Sequence, residues 1–444
     1  MERSVEEILQ LAEEENVEFI RLQFTDLFGN LKNMAVTARE LEKALNNEVM
    51  FDGAAIDGFC TEEESDMYLY PDRDTWNILP WRPQHGKVAR MICDVYTVAK
   101  KPFEGDPRRV LKRAIDEAAA MGYTFHVGPE CEFFLFRTDE DGRPTTVTEE
   151  AEKAGYFDIG PIDAGENARR DMVLTLEDMG FEIRSSHHEM APAQHEIDFA
   201  HDEALNTADN VVTFKMAVKT IARRHGQHAT FMPKPREDNN GSGMHLNMSL
   251  HRDGVNVFRN DDSPEGISDE ARYFMGGLIK HIKGMTAVLN PLVNSYKRLV
   301  PGYDAPVGIS WSAKSRSSMI RIPADRGARA RLELKSPDSA ANPYLAFALV
   351  LSAGLDGIRN RIEPPAAVDA DLGKKNASEL MAMGVDSLPA NLFEAVAELK
   401  ADKLLCDTLG PHITALYTEG KIREYTEYSA AVSAWELNRY LYKY

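Results

Sequence analysis

Three strand-like stretches of this sequence carry polar side chains at alternate positions, which share one face of a strand. They contain Glu130 and Glu132 in GPECEFFLF, His245, Asn247 and Ser249 in GMHLNMSL, and Arg331, Glu333 and Lys335 in RLELK. A fourth stretch, SHHEMAPAQHEIDF, adds Glu189 and Glu196. Five carboxylates and one histidine on converging strands would bind two or three hard divalent cations. Such a site suits phosphoryl transfer, because the cations offset the charge of a polyphosphate.

Each pattern alone also has an ordinary interpretation. An isolated Glu-x-Glu often lies on a solvated strand face, but here the apolar run Phe133–Phe136 follows at once and indicates a strand buried on both sides. A single histidine such as His245 is more often a satisfied core residue than a ligand. Glu333, between two basic residues, could belong to a charge ladder on an exposed strand. The combination of all four stretches favours a cation site.

Composition is that of a soluble globular protein. The 444 residues are 43% hydrophobic and 27% charged, which allows two or three domains with large cores. The formal net charge of -20 disfavours nucleic acid or an anionic membrane as a partner. Any nucleotide must therefore be attracted by local basic residues.

The sequence also predicts a cytoplasmic protein. Its four cysteines, Cys60, Cys93, Cys131 and Cys406, show no paired spacing, which indicates reduced thiols. The first residues are acidic and helix-forming, so no signal peptide is expected. The most apolar stretch, Tyr344–Leu355, is too short to span a bilayer.

Hydrophobic periodicity and turn residues predict an α+β protein with a small domain at residues 1–105 and a larger one at 106–444. The small domain is expected to contain a helix at Val5–Glu15, a hairpin of Glu18–Phe24 and Leu31–Val36, a helix at Ala38–Asn46 and a strand at Lys87–Tyr96. Asp106 and Pro107 then open a helix at Arg108–Met121, with proline in a favourable first-turn position.

In the larger domain, the predicted helices are Asn167–Met179, Asp209–His225, about Ser268–Leu289 and Pro343–Asn360, and a polar segment near Pro364–Ser387 precedes a helical tail. The loop Pro233–Gly243 leads to His245. A second loop, Asn294–Pro306, has the composition of an active-site lid, and a strand is expected at Val307–Ser312. Arg316 and Arg321 suit phosphate or carboxylate contacts, although either one alone could be an ordinary surface arginine.

Several motifs together resemble one family. They are GPECEFFLF, AGYFD, SHHEMAPAQHEIDF, NGSGMH, NSYKRLVPGY, IRIPADRG, ANPYLA and FDGAAIDGF, and they look like glutamine synthetase of the bacterial type I, in the branch without an adenylylation loop. The resemblance implies an N-terminal β-grasp domain and a catalytic domain shaped as a funnel of antiparallel strands flanked by helices. It also implies a homo-dodecamer of two hexameric rings, with active sites between adjacent subunits.

The resemblance further implies a role for each matching residue. Glu132, Glu189 and Glu196 would hold the metal nearest glutamate, and Glu130, His245 and Glu333 the metal that bridges the ATP phosphates, with two or three Mg²⁺ or Mn²⁺ per site. Glutamate would be positioned by Asn240, Gly241, Arg298 and Lys335, and Arg316 would face the transferring phosphoryl group. Asn247, Ser249, Arg321 and Arg331 match nucleotide-contacting positions. Asp52 would reach the neighbouring subunit's site and help deprotonate ammonium near Tyr156, while Asp304 would close the lid.

The implied reaction joins ammonia to the glutamate γ-carboxylate through γ-glutamyl phosphate, at the expense of ATP. Some positions depart from the family pattern: Asp304 replaces a glutamate, Ala54 and Ala55 replace two serines, Lys335 replaces an arginine, and Arg184 stands where a glutamate is usual. Two alternatives therefore stay open at this stage. One is a ligase that uses another amine, and the other is a weakly active paralogue that senses metabolites or regulates protein partners.

Overall fold

The computed structural model describes residues 3–59, 65–82, 86–145 and 153–444; Cys60 lies outside them. Its helices are α1 Val5–Glu14, α2 Leu41–Leu45, α3 Pro107–Ala120, α4 Glu166–Asp178, α5 Ala204–Arg224, α6 Asp269–Leu289, α7 Ser295–Arg298, α8 Pro343–Asn360, α9 Ala377–Ala382, α10 Leu392–Ala401, α11 Lys403–Leu409, α12 Pro411–Ala430 and α13 Ala434–Tyr440. None of the described helices has the length and apolar character required to cross a membrane.

The strands form two sheets. They are β1 Val17–Thr25, β2 Leu31–Thr37, β3 Val49–Asp52, β4 Asp66–Ile78, β5 Lys87–Thr97, β6 Thr124–Arg137, β7 Ile183–His188, β8 Gln194–Phe199, β9 Asp202–Glu203, β10 Gln227–Thr230, β11 Met244–Arg252, β12 Val255–Asn256, β13 Trp311–Ser312, β14 Ile320–Arg321 and β15 Leu332–Leu334. The predicted α+β class is confirmed.

The N-terminal sheet has five strands in the order β2-β1-β5-β4-β3. Its central strands β1 and β5 are parallel, whereas β1 and β2 form the predicted antiparallel hairpin. Ser4 caps the start of helix α1: its hydroxyl accepts a hydrogen bond from Glu7 N, while the Glu7 side chain accepts one from Ser4 N. This reciprocal cap supplies partners for N–H groups that have none within the helix.

The second sheet has ten strands, and its main path runs β13-β14-β15-β11-β6-β8-β7. From β14 to β7 each neighbouring pair is antiparallel. The long central strand β6 is buried along Phe133–Phe136, as its continuous apolar run predicts. Its preceding segment, with Glu130 and Glu132, therefore enters the core at the centre of the sheet.

Helices α6 and α8 form a closely packed pair behind this sheet. A Cβ atom on Gly277 would lie 2.0 Å from Ala353 O, and one on Gly357 would lie 2.0 Å from Tyr273 O. Glycine is therefore required on both helices at this crossing. The apolar stretch Tyr344–Leu355 is buried inside α8, so its hydrophobicity reflects a core helix.

Two predicted elements differ from the structure. The segment Ala38–Asn46 is a 3₁₀ turn at Ala38–Glu40 followed by the short α2. The prediction of a strand at Val307–Ser312 is wrong except at its last two residues, which form β13. Ile309 N instead donates to Asp386 O, and Leu388 N donates to Val307 O, so a neighbouring loop takes the hydrogen bonds that a strand would use. The alternating pattern did not reveal β4, which carries polar residues at Asp72–Thr75.

Candidate active site

Strands β6 and β11 place Glu130 and His245 directly opposite each other. His245 Nδ1 lies 3.1 Å from Glu130 Oε2. Asn247 Nδ2 donates to Glu130 Oε1 at 2.8 Å. The alternation of β11 therefore brings the imidazole and the amide to one carboxylate, as the spacing predicts.

Glu333 on β15 completes this group from the other side of β11. It pairs in register with Asn247 and with Arg321, and its Oε1 lies 3.6 Å from His245 Nδ1. Arg321 Nη1 donates to Glu333 Oε2 at 2.8 Å. The carboxylate is buried, so the interpretation of Glu333 as part of an exposed charge ladder is wrong. Glu130, His245 and Glu333 each present a ligand atom within 4.8 Å of the others.

Glu132 lies one strand repeat further along β6 and faces Glu196 on β8. Its Oε2 accepts hydrogen bonds from Gly243 N at 2.8 Å and from Gln194 Nε2 at 3.0 Å. Its Oε1 remains 3.9 Å from His245 Nε2. One carboxylate oxygen is thus fixed by the protein, and the other points toward the shared centre of the site.

Two residues that the sequence reasoning missed join the cluster. His187 Nδ1 lies 3.7 Å from Glu189 Oε1, and its Nε2 lies 3.8 Å from Glu196 Oε1. Asp198 belongs to the same group, since ligand atoms of His187, Glu196 and Asp198 all lie within 4.8 Å of one another. The signal was available in the sequence, because Asp198 stands two residues after Glu196 on the same strand.

The electrostatics of these carboxylates suit divalent cations. Burial, with the charge of Glu132, raises the pKa of Glu189 to about 7. Burial, with the charges of Asp198 and Glu132, raises the pKa of Glu196 well above its usual range. Burial also opposes ionisation of Glu130, yet the hydrogen bond to His245 lowers the Glu130 pKa to about 2. Crowded, desolvated carboxylates that repel one another are relieved by a cation, and oxygen donors with one imidazole fit Mg²⁺ or Mn²⁺.

The predicted glutamate-positioning residues lie beside this cluster. Arg298 is buried and donates to Ser336 O at 2.8 Å and to Lys335 O at 3.1 Å. A Cβ atom at Gly241 would lie 2.1 Å from Pro233 O and 3.0 Å from Arg298 Cγ, so only glycine fits there. Gly241 O accepts from Gln194 Nε2, which connects this loop to Glu132. The side chain of Asn240 is half-buried in the same loop.

Lys335 and Arg316 are joined through the backbone, since Lys335 Nζ donates to Arg316 O at 2.9 Å. Lys335 is buried, whereas the Arg316 side chain is exposed. Tyr156 is also largely exposed, but its ring centroid lies 5.6 Å from that of His187. The structure therefore brings Tyr156 close to the carboxylate cluster.

Asp52 and Asp304 are both exposed within one chain. Asp52 ends β3 in the N-terminal sheet, where its exposed carboxylate accepts from Ala54 N at 2.9 Å. Asp304 is exposed and has a φ of 54°, in the left-handed region that aspartate tolerates better than most residues. The single chain thus leaves both carboxylates facing solvent.

Two of the four residues predicted to contact nucleotide, Asn247 and Arg331, line a cavity of about 490 Å³ that Glu130 and Arg184 also line. Arg331 Nε donates to Asn247 Oδ1 at 2.8 Å. Ser249 lies further along β11, with its Oγ 3.1 Å from His251 Nε2. The face of β11 therefore runs from the carboxylate cluster at His245 to an imidazole-rich end near Ser249.

Family comparisons agree with this architecture. A family profile described as "Glutamine synthetase, beta-Grasp domain" matches residues 16–98, and one described as "Glutamine synthetase, catalytic domain" matches residues 104–440. The chain belongs to the glutamine synthetase family. The N-terminal sheet is accordingly a β-grasp domain, and the ten-stranded sheet belongs to the catalytic domain.

Members of the glutamine synthetase family resemble this chain over its whole length. The glutamine synthetase of Clostridium saccharobutylicum is 58% identical over 99% of both chains, and that of Methanosarcina mazei is 54% identical over 98% of this chain and 97% of its own. A solved structure titled "GmaS/ADP complex-Conformation 1" has a TM-score of 0.89 at 34% identity and covers 99% of this chain and 100% of its own.

These relationships decide among the activities left open by the sequence. The chain is an ATP-dependent ligase that forms glutamine from glutamate and ammonia. As a member of the family, it uses ATP and divalent metal ions.

Proposed function

We propose that the carboxylate cluster is the metal centre of this reaction, with the division of ligands that the sequence predicts. Glu130, His245 and Glu333 would hold the cation on the ATP side, and Glu132, Glu189 and Glu196 would hold one nearer glutamate. The observation that carries this proposal is the convergence of these six side chains from four adjacent strands and one connecting loop. Two or three Mg²⁺ or Mn²⁺ ions would lower the barrier by neutralising the charge that builds up on the phosphates.

The substrates follow from the groups around the cluster. We expect the backbone-anchored Arg298 and the Asn240–Gly241 loop to bind and orient glutamate, with Lys335 nearby. Arg316 and Arg321 would contact the phosphates, and Asn247, Ser249 and Arg331 the remainder of the nucleotide. The solved relative whose title includes ADP supports nucleotide binding in this fold. Arg321, already paired with Glu333, couples the nucleotide side to the metal ligands.

The amine half of the reaction needs an anionic pocket that closes. Asp304, on an exposed loop, would cover the site and exclude water from γ-glutamyl phosphate. Asp52 from an adjacent subunit would accept a proton from ammonium near Tyr156. The exposed position of Asp52 within one chain supports this assignment, because its carboxylate is available to a neighbour.

We propose that the chain assembles as a homo-dodecamer of two hexameric rings and works in the cytoplasm. The C-terminal segment supports assembly, since it exposes large apolar side chains that a monomer would leave in water. They are Val432, Trp435, Leu437, Tyr440, Leu441, Tyr442 and Tyr444. We also propose the boundary between the two domains at residues 105–106, immediately before α3.

A direct experiment measures glutamine formation and phosphate release from ATP with glutamate, with and without ammonium, across Mg²⁺ and Mn²⁺ concentrations. We expect both products to rise together and to require ammonium. Glu130→Gln and Glu333→Gln should raise the metal concentration needed for half-maximal activity. Glu265→Gln, which changes a carboxylate outside the cluster, should leave that concentration unchanged. Unchanged metal dependence in both cluster variants would contradict the proposed ligands.

A further inference from the structure

Three histidines form a second cluster at the far end of the nucleotide cavity. His126 on β6, His251 on β11 and His201 after β8 each present a ring nitrogen within 4.8 Å of the others. The ring centroids of His126 and His251 lie 4.1 Å apart, and those of His126 and His201 lie 5.9 Å apart. All three line the cavity that also contains Glu130 and Arg331.

The sheet register separates this histidine cluster from the carboxylates. Glu130 faces His245, whereas His126 faces Ser249. Glu130 and His126 are four positions apart on β6, a distance of roughly 13 Å along the strand. One face of the same two strands thus carries a carboxylate-rich end and an imidazole-rich end.

Hydrogen bonds at the histidine cluster orient two of the rings. His201 Nε2 lies 3.2 Å from Asn247 O, a contact that places a proton on Nε2 and leaves the lone pair on Nδ1. His251 has a backbone hydrogen bond at Gly254, and its Nε2 lies near the hydroxyl of Ser249. Metal-binding histidines are commonly held this way, with the second nitrogen donating to a carbonyl.

Packing and charge around the cluster are also compatible with a bound metal. A Cβ atom at Gly128 would lie 3.2 Å from His201 Cδ2, so glycine lets that ring lie over β6. Burial lowers the pKa of all three imidazoles, to about 3 for His201. Asp198 lines the cavity, and Asp202 lies near His126. The negative charges of these two carboxylates offset the positive charges of Arg184 and Arg331.

We propose that His126, His201 and His251 form a binding site for a transition metal that prefers imidazole, with Zn²⁺ as the best-suited ion. Three neutral imidazoles with space for a fourth ligand match the coordination of Zn²⁺ and Co²⁺. Mg²⁺ prefers oxygen ligands and favours the carboxylate end. Because both ends open into one cavity, a metal at the histidine cluster would obstruct nucleotide binding in that cavity. This consequence rests on the proposed function.

Cobalt provides a spectroscopic test on the full-length protein. The metal-free protein is saturated with Mg²⁺ to fill the carboxylate site and is then titrated with Co²⁺, whose visible absorption is much stronger in a four-coordinate imidazole site than in an octahedral oxygen site. We expect the strong absorption in the unmodified protein. His126→Asn and His251→Asn should each weaken Co²⁺ binding at least about tenfold, while His228→Asn on β10 should not change it.

Two results would overturn the metal site. One is a spectrum that stays octahedral in the Mg²⁺-saturated protein, and the other is equal Co²⁺ affinity in His251→Asn and His228→Asn. Direct titration with Zn²⁺ by calorimetry provides a second measurement that does not depend on absorption. Addition of ADP tests the proposed function separately, since displacement of Co²⁺ supports a shared cavity. Failure of ADP to bind in the absence of Co²⁺ would count against the nucleotide assignment and leave the metal site standing.

Discussion

Gln194 Nε2 donates to Glu132 Oε2 at 3.0 Å, and the same nitrogen donates to Gly241 O at 3.0 Å. This buried amide therefore connects a proposed metal ligand on β6 with the loop proposed to bind glutamate. The contact with Gly243 N occupies the same carboxylate oxygen. Together, the two donors hold Glu132 so that its other oxygen faces the centre of the cluster.

The first prediction concerns this positioning residue. Gln194→Met keeps the approximate volume but removes the donor, so Glu132 and the Gly241 loop lose their common contact. We expect Mg²⁺ affinity to fall by about 10- to 100-fold, as for other groups that orient metal ligands, with a higher KM for glutamate. Metal titrations of activity and of binding provide the measurement.

Gln23→Met is the matched control, because Gln23 is a buried amide in the N-terminal sheet with its Nε2 facing Met216 Sδ. It should leave Mg²⁺ affinity unchanged. Equal losses in both variants would show that the effect is one of general stability.

The second prediction concerns Asp304. Removing its carboxylate in Asp304→Ala should lower kcat for glutamine formation by about 10²- to 10⁴-fold, the range typical of groups that handle protons in catalysis. ADP binding should persist, because Asp304 does not line the cavity proposed to bind nucleotide. Asp304→Glu should retain more activity than the alanine variant, although the left-handed backbone suits glutamate less well.

Asp253→Ala provides the backbone control for this loop. Asp253 is also exposed and has a φ of 51°, but it occupies the turn between β11 and β12. Its substitution should not change kcat. An Asp304→Ala protein with full activity would exclude this carboxylate from the reaction.

The third prediction concerns the contact between domains. Arg108 on α3 donates to both oxygens of Asp209, through Nε at 3.0 Å and Nη2 at 2.8 Å, and also contacts Asp72 and Asp94 of the N-terminal sheet. Arg108→Met leaves these carboxylates without their shared cation. We expect a loss of roughly 3–5 kcal/mol in the free energy of unfolding, as for other broken buried ion pairs.

Urea unfolding followed by circular dichroism would measure this loss. Arg359→Met breaks the exposed pair with Glu117 and should cost less than about 1 kcal/mol. Similar costs for the two variants would contradict the central place of Arg108 between the domains.

The fourth prediction concerns pH. His281 on α6 is buried, and its ring contacts Asp402 at 2.5 Å and Asp356 at 3.1 Å. Burial opposes protonation, but these two hydrogen bonds raise the His281 pKa above its usual value. The folded protein thus binds this proton more tightly than the unfolded chain does, where the pKa is about 6.5.

The resulting stabilisation is complete below about pH 6.5 and is lost as the pH rises through the folded pKa. Unfolding of the unmodified protein and of His281→Gln should therefore differ more at about pH 6 than at about pH 9. Asp356→Asn, which removes one charged acceptor, should reduce the same difference. A difference between the proteins that grows with pH would contradict this assignment.

The sequence alone predicted which residues of the proposed metal centre share a strand face, because strand alternation is a local property. The spacing of Glu130 with Glu132, and of His245 with Asn247, placed each pair on one face before any partner strand was known. Continuous apolar residues likewise predicted the buried part of β6 and the core helix α8. The family motifs then connected these stretches with a reaction.

Tertiary structure decided which side chains share a contact. Register between strands brought Asp198 and His187 into the carboxylate cluster and separated the histidine cluster from it, and no local pattern specifies register between distant strands. Packing also directed Arg298 to backbone carbonyls and placed Gln194 between Glu132 and the Gly241 loop. The strand predicted at Val307–Ser312 failed for the same reason, because its backbone hydrogen bonds go to a loop about eighty residues further along the chain.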